Sequence, residues 1–151
     1  MAVRGKQCWR VKRNRAVSYH LTGVPAAKTD AVWEEVAPIL KRAVDRTDRY
    51  TMEDIYNYIV SQEMQLWLII NHERLAAVFV TEIVCYPQIK VLACPFVSGH
   101  DAKDWIHLIS EVEEFAKSKG CSEVEPPGRK GWRKLLPPEY KEYVTIFRKK
   151  I

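Results

Sequence analysis

Three apolar runs follow one another closely in the middle of the chain: LWLII (residues 66–70), LAAVFVTEIVCY (75–86) and IKVLACPFV (89–97). Each run is rich in β-branched and aromatic residues and has the length of a strand. The residues that join them, 71–74 and 86–89, suit tight turns. The sequence therefore predicts three consecutive antiparallel strands.

The second turn also predicts a register. If Pro87 and Gln88 form its loop, Glu82 lies opposite Ala93 and shares a strand face with Val80. A carboxylate on an apolar strand face is a candidate proton acceptor in catalysis. A position near the sheet edge, or pairing with a nearby Lys or Arg, explains Glu82 equally well.

A long amphipathic segment, DAKDWIHLISEVEEFAKSKG (101–120), follows the third run. Its apolar residues recur with helical spacing, and Gly120 suits the left-handed position just after a helix end. We therefore expect one long helix from Asp101 to Lys119.

Three short elements complete the chain after this helix. They are a strand SEVE (122–125), a basic helix RKGWRKLL (129–136) and a last strand YVTIFRKK (143–150). Proline pairs at 126–127 and 137–138 separate them, since proline ends strands and helices.

Two helices are predicted before the strands. The first begins at Thr29 or Asp30, and Pro38 inside it predicts a kink or a break. The second begins after a capping box of Thr51 and Asp54, in which Asp replaces the usual Glu or Gln.

The order helix, helix, three antiparallel strands, long helix, strand, short helix, strand resembles the GNAT family of N-acetyltransferases, over residues of roughly 17–150. The resemblance implies an α/β (α+β) fold with a mixed, mostly antiparallel central sheet and helices on both faces. QLWLIINHERLAAVFVTEIVCYPQIKVL (65–92) and GCSEVEPPGRKGWRKLL (120–136) further resemble small acetyltransferase-like proteins of phages and prophages.

The resemblance implies that the cofactor is acetyl-CoA. In the family, a β-bulge splays the two parallel central strands and backbone amides there hold the pantetheine arm. The pyrophosphate lies on a glycine-rich loop where a helix begins. The cofactor-binding residues implied here are Phe96, Val97, Ser98, Gly99, His100, Lys103, Arg129 and Trp132.

The loop of this chain, residues 96–104, departs from the family pattern. It has one glycine, and Asp101 and Asp104 place two carboxylates where a pyrophosphate would lie. Carboxylates suit the first turn of a helix but repel phosphate. The alternative is therefore a non-catalytic protein of the same fold, kept as a phage structural or host-interacting binding protein.

The resemblance also implies an acetyl transfer in which an amine, of a small molecule or a protein, attacks the thioester directly. Glu82 is then the candidate base, and Tyr140 the candidate acid that protonates the leaving thiolate. Cys94 is a second candidate nucleophile, but its apolar neighbours favour a packed thiol.

The charge is concentrated at the N-terminus. Residues 1–15 carry six of the 24 basic residues and no acid, so the rest of the chain is nearly neutral. We divide the chain into a basic arm (1–15) and a single domain (16–151) that begins with a short strand, AVSYHL (16–21). The arm suits nucleic acid or an acidic partner, but its composition favours a solvated, flexible tail.

The four cysteines form no CxxC pair, which predicts reduced, buried thiols in a cytoplasmic protein. The longest apolar runs fall short of the roughly 18 residues of a membrane span, so we expect no membrane partner. The resemblance implies the host cytoplasm, with virion association as an alternative.

A second basic cluster, GRKGWRK (128–134), suits a phosphate or a nucleic-acid backbone with Trp132 stacking. The pattern favours a short helix with a solvated basic face and Trp132 in the core. His100 and His107 do not have the spacing of known metal ligands, so we expect no metal. A homodimer is the oligomeric state that the resemblance suggests.

Overall fold

The structure is a computed structural model that describes residues 18–151. Its elements follow the order strand, two helices, three strands, a broken helix and a short strand. They are β1 (Tyr19–Val24), α1 (Thr29–Val44), α2 (Met52–Val60), β2 (Met64–Asn71), β3 (Arg74–Cys85), β4 (Lys90–Gly99), α3 (Ala102–Trp105), α4 (Ile109–Ser118) and β5 (Glu123–Glu125). Short 3₁₀ turns occupy Ala26–Lys28, Ile106–Leu108 and Lys130–Lys134.

The five strands form one sheet in the order β1-β2-β3-β4-β5. The first four are antiparallel to their neighbours, and β5 is parallel to β4. The predicted register is confirmed, because Glu82 lies opposite Ala93 and the amide of Tyr86 donates to the carbonyl of Ile89 at 2.8 Å.

Each face of the sheet carries its own apolar core. One core packs α1 and α2 against one face and includes Leu40, Ile55 and Val80. The other packs the region of α3 and α4 against the opposite face and includes Phe79 and Val112. The predicted fold class, a mostly antiparallel sheet with helices on both faces, is confirmed.

The two N-terminal helices follow the sequence signals closely. The capping box of Thr51 and Asp54 is present, with the Thr51 amide donating to the Asp54 carboxylate at 2.7 Å. Helix α1 begins at Thr29, but the break that Pro38 predicted as one alternative does not occur, because the helix continues to Val44. The buried side chains Val36 and Leu40, on either side of the proline, hold that helix against the sheet.

The predicted long helix over 101–119 is wrong in part, because a 3₁₀ turn at Ile106–Leu108 divides it. Trp105 explains the division. Its ring is buried, and its indole N–H donates to the carbonyl of His100 at 2.7 Å. This anchors the first turn to the end of β4 separately from α4.

The last two predicted elements also differ. The predicted helix over 129–136 is a 3₁₀ turn at Lys130–Lys134, and the predicted strand over 143–150 pairs with no other strand of residues 18–151. Strand propensity alone does not make a strand, since it mostly reflects packing against neighbours.

Two further observations bear on the predictions. Across residues 18–151, no helix is long and apolar enough to cross a membrane. The arm (1–15) lies outside the described residues, as do the first two residues of the predicted strand over 16–21, and the observed strand runs from Tyr19 to Val24.

Candidate active site

The two parallel strands β4 and β5 part after three paired residues, the last pair being Ala93 and Glu125. A β-bulge in β4 marks the point of parting. Two residues of β4, Cys94 and Pro95, lie opposite the single residue Thr81 of β3. Proline has no amide hydrogen, so Pro95 suits a bulge, and a bulge bends its strand away from its neighbour.

Strand β3 is held firmly opposite this bulge. The buried hydroxyl of Thr81 accepts a hydrogen bond from the Trp67 indole at 2.8 Å and donates one to the Gln65 side chain at 2.8 Å. A buried polar group with both partners in place fixes its strand in one position. We therefore attribute the parting of the strands to β4, which carries the extra residue, and not to β3.

A cleft of about 380 Å³ opens where β4 and β5 part, on the side of α1. Its floor is formed by β4, and its walls by the end of α1 and the residues after β5. The lining residues are Ala43, Arg46, Thr47, Ala93, Cys94, Pro95, Phe96, Val97, Glu125, Pro126, Pro127, Gly128 and Arg129.

A narrow apolar cavity of about 40 Å³ lies on the opposite face of the sheet, between β4, α4 and Trp132. Four residues line both the cleft and this cavity: Cys94, Val97, Pro126 and Pro127. The two cavities therefore adjoin at the parted strands, and together they are called the passage here, with a wide mouth beside α1 and a narrow mouth beside α4.

The wide mouth carries charges of both signs. Arg46 lies just after α1, Glu125 at the end of β5 and Arg129 two residues beyond the paired prolines. The Arg129 guanidinium reaches across the cleft and donates to the carbonyl of Val97 at 3.4 Å. Two cations and one carboxylate thus face the same opening.

Cys94 forms part of the passage wall, but its thiol is not activated. Its side chain is buried, and this burial raises the pKa of the thiol to about 12. The thiol lies 3.7 Å from the carbonyl of Phe96. A thiol that stays protonated near neutral pH is a packed side chain, as the apolar sequence around Cys94 favoured.

The other described cysteines only partly follow the sequence. Cys85 is exposed and Cys121 half-buried, so the expectation of buried thiols is wrong for Cys85. Cys85 is the last residue of β3, where the strand extends beyond its buried part. Cys8 lies outside the described residues.

At the end of β4, Gly99 packs against the neighbouring strand. Its φ is +150°, and a Cβ atom placed there would come within 2.4 Å of the Ala76 carbonyl oxygen. The next residue, His100, donates its amide to the same carbonyl at 3.1 Å, and its ring Nδ1 lies 2.9 Å from it. The glycine therefore allows a close approach of two strands.

The loop predicted to bind phosphate continues with Asp101, which has a left-handed φ of 59° and makes no side-chain cap of α3. The Tyr19 hydroxyl donates to its carboxylate at 3.4 Å. Burial and the nearby carboxylates of Asp101 and Asp104 raise the pKa of Tyr19. Ser98 is half-buried and Lys103 exposed. The expected capping by Asp101 is wrong, and α3 spans four residues.

Glu82 lies next to the passage without lining it. Its Cα is paired with that of Ala93, which lines the cleft, and with that of Met64 in the core beneath α2. The side chain is half-buried, and its carboxylate makes no hydrogen bond or ion pair within residues 18–151. It is thus a carboxylate with free acceptor capacity beside the bulge.

Tyr140 lies on the other side of the sheet and lines neither cavity. Its hydroxyl donates to the Glu113 carboxylate at 2.7 Å. Burial, followed by the bond to Glu113, raises the pKa of the Tyr140 phenol. The structure does not bring Tyr140 together with Glu82, and its role as acid stays a prediction.

The basic cluster around Trp132 divides into two kinds of residue. Trp132 is half-buried against the core beside α4 and lines the narrow cavity, while Lys130, Arg133 and Lys134 are exposed. A core face and a solvated basic face are what the interpretation as a short helix expected, although the element is a 3₁₀ turn.

Several lining residues were not predicted from the sequence. Arg46 and Thr47 reach the cleft only because α1 crosses β4, which no local pattern reveals. Glu125 had a usable signal, because it is the last residue before two prolines that cannot continue a strand. No cluster of three His, Cys, Asp or Glu side chains within residues 18–151 is arranged to hold a metal.

No family model and no curated protein matches the sequence. Solved structures match it along nearly their whole length. An aminoglycoside acetyltransferase from an uncultured soil metagenomic sample is 10% identical, with a TM-score of 0.68 over 89% of this chain and 99% of that chain.

Two further structures give the same picture. A ribosomal-protein-alanine N-acetyltransferase from Brucella melitensis biovar Abortus 2308 is 13% identical, with a TM-score of 0.57 over 87% of this chain and 100% of that chain. A GNAT family acetyltransferase of Staphylococcus aureus is 12% identical, with a TM-score of 0.58 over 89% of this chain and 99% of that chain. At these identities the likeness shows the fold, and this chain has the GNAT fold.

Proposed function

We propose that this chain is an N-acetyltransferase that moves an acetyl group from acetyl-CoA to an amine. The observation that carries the proposal is the passage at the parted strands β4 and β5, made of two adjoining cavities, one on each face of the sheet. A passage of this kind lets a thioester enter from one face and an amine from the other. The GNAT fold of the chain supports the same reaction by analogy.

The residues of the passage suit a thin, flexible thioester arm. Its walls at Val97, Pro126 and Pro127 are apolar, and β4 has no strand partner on this side beyond Ala93. The backbone of β4 there is available to the amides of an extended ligand, apart from the Val97 carbonyl, which Arg129 contacts. When bound, acetyl-CoA supplies a thioester carbonyl that an amine attacks directly.

The phosphate end of the cofactor has weaker support. The amide of His100 is already bonded to Ala76, and Gly99 is packed against β3. Lys103 is the exposed cation of this loop, while Asp101 and Asp104 oppose a phosphate. We therefore expect an affinity for acetyl-CoA that depends on the thioester arm more than on the pyrophosphate.

The chain's own groups have distinct parts in the proposed reaction. Glu82, opposite Ala93, accepts the proton that the amine loses, directly or through one water. The apolar narrow mouth excludes water from the thioester. At the wide mouth, Glu125 attracts the amine, while Arg46 and Arg129 suit an acceptor that also carries an anionic group.

A thiol-release assay tests the proposal with acetyl-CoA and a panel of small amines, aminoglycosides and peptides with free N-termini. We expect Glu82→Gln to lower kcat by about 10²–10⁴-fold. The matched control is Glu123→Gln, which removes an exposed carboxylate of β5 that lines neither cavity. Absence of release above hydrolysis with every acceptor, together with absence of acetyl-CoA binding, would remove the proposal.

The phage or prophage origin and the host cytoplasm belong to the same proposal. They are supported by the phrases QLWLIINHERLAAVFVTEIVCYPQIKVL and GCSEVEPPGRKGWRKLL alone. Binding of nucleic acid or of an acidic partner by residues 1–15 also stays a prediction, and salt-sensitive binding that disappears on removing the arm would test it.

A further inference from the structure

The C-terminal segment, residues 141–151, presents apolar side chains to solvent. The exposed fractions are 91% for Tyr143, 68% for Val144, 74% for Ile146 and 93% for Phe147. The two aromatic rings alone offer on the order of 300 Å² of surface. This approaches the largest apolar patch of an ordinary monomer, and such patches mark interaction sites.

The segment is held to its own chain by exposed ion pairs. Arg148 and Lys150 contact the Asp48 carboxylate at 2.7 and 3.3 Å, and Arg133 binds Glu142. Exposed pairs of this kind contribute about 0–1 kcal/mol each. None of the four apolar side chains belongs to either core of the described chain.

The backbone of the segment is also free to pair. Within residues 18–151 it joins no strand, although its residues have strong strand propensity. An unpaired, strand-prone backbone is a template for another strand. The partner strand that we consider is the same segment of a second copy of this chain.

The sequence of the segment is complementary to itself around Thr145. In an antiparallel pair centred there, Tyr143 lies opposite Phe147 of the partner subunit, and Val144 lies opposite Ile146 of the partner subunit. The same register puts Glu142 opposite Arg148 of the partner subunit. Aromatic, β-branched and oppositely charged residues are the cross-strand pairs that stabilise antiparallel strands.

We propose that two copies of this chain associate through residues 142–148, which pair as antiparallel strands about a two-fold axis at Thr145. The contact is isologous, since the same segment serves both subunits and closes the pair. The charges fit this occupant, because each subunit supplies one acid and one arginine to the register, where Glu142 and Arg148 also keep their exposed intrachain contacts with Arg133 and Asp48. A two-stranded ribbon is only marginally stable alone, so we expect a dissociation constant of about micromolar size.

A cysteine at the two-fold axis tests the register directly. Residues paired across antiparallel strands have Cα atoms about 4.5–5.5 Å apart, which a disulfide spans. Thr145→Cys should therefore give a covalent dimer under mild oxidation. Lys141→Cys is the matched control, because its two copies would lie about eight residues apart along the ribbon, roughly 26 Å. The wild-type chain, oxidised in the same way, shows how much cross-linking its own cysteines produce.

Sedimentation equilibrium tests the association without cross-links. The wild-type chain should be a dimer at tens of micromolar. Phe147→Glu should be a monomer, with the melting temperature that the wild type has at concentrations low enough for it to be monomeric too. Glu142→Arg should weaken the dimer about tenfold, since each ribbon loses two charge pairs. Adding Arg148→Glu should restore it.

Three results would overturn the proposal. One is a wild-type monomer up to about 100 µM, a concentration well above the expected dissociation constant. Another is equal cross-linking of Thr145→Cys and Lys141→Cys. The third is a Phe147→Glu variant that melts earlier with no change in mass, which would mean that the segment packs on its own chain or on a different partner.

Discussion

Replacement of Gly99 by alanine separates a structural role of the β4 end from a cofactor-binding role. The new Cβ atom would lie 2.4 Å from the Ala76 carbonyl oxygen and 2.5 Å from the Ala77 Cα atom. Both are backbone contacts well inside van der Waals distance, so β3 and β4 must move apart. The φ of +150° adds strain that only glycine avoids.

The cost follows from these two effects. A backbone conformation reserved for glycine costs about 1–3 kcal/mol in a residue with a Cβ, and overpacking costs about 1–3 kcal/mol. We therefore expect Gly99→Ala to lower the free energy of unfolding by about 2–6 kcal/mol. In a chain of this size, that lowers the melting temperature by roughly 5–20 °C.

Urea titration measures the free energy of unfolding of Gly99→Ala, and two other glycines provide graded controls. Gly120 has a φ of +77° but open space around it, with only Lys90 Nζ at 3.8 Å, so Gly120→Ala should cost about 1–2 kcal/mol. Gly131 has no atom within 4 Å of the added Cβ, so Gly131→Ala should change stability by less than about 0.5 kcal/mol. If Gly99→Ala unfolds with the free energy of Gly131→Ala, the close approach of the strands is not what requires glycine.

Three further predictions concern titrating groups. Alkylation at pH 8, followed by mass spectrometry, should label the exposed Cys85 in the folded protein but Cys94 only after unfolding. The reason is that burial raises the pKa of the Cys94 thiol to about 12. Rapid labelling of Cys94 in the folded protein would contradict this. The hydrogen bond with Arg148 lowers the pKa of Asp48 from 3.8 to about 2, so the ion pair is complete above about pH 4 and lost as the pH falls through 2. A carbon-detected NMR titration should show that midpoint, and Arg148→Gln should raise it; a wild-type midpoint near 4 would refute the contact. In a phenol titration up to about pH 11, the Tyr140→Phe variant and the wild type should ionise the same number of tyrosines, since the pKa of Tyr140 is raised. One ionising tyrosine fewer in the variant would mean that the Tyr140 hydroxyl lies in water.

The sheet could be predicted from the sequence because its signals are local. The turn at Pro87 and Gln88 fixes the pairing of Glu82 with Ala93, and the period of two then assigns every side chain to a face. The capping box at Thr51 likewise depends on residues three apart. Such patterns need no knowledge of distant contacts.

The features of the fold that the sequence did not predict depend on tertiary contacts. The indole of Trp105 bonds to His100 and divides a helix whose apolar spacing is continuous in the sequence. Residues 143–150 have strand propensity but no partner strand within their own described chain. Arg46 enters the cleft because α1 crosses β4. No window of sequence contains both sides of these contacts.

The residues predicted to bind the cofactor fall into two groups in the structure, and their binding role stays a prediction. Phe96, Val97 and Arg129 line the cleft. Gly99 and His100 instead serve the packing of β4 on β3. A glycine that admits a phosphate and a glycine that admits a neighbouring strand look the same in sequence.

The passage between β4 and β5 is the central claim, and amide chemical shifts test it most directly. Acetyl-CoA is added to the ¹⁵N-labelled protein, with desulfo-CoA as a control for thiol chemistry. We predict saturable shifts at Phe96, Val97, Gly128 and Arg129, with the amides of β1 unmoved. Shifts confined to the exposed basic side of Lys130–Lys134, or none at about millimolar acetyl-CoA, a level well above ordinary substrate affinities, would contradict the account.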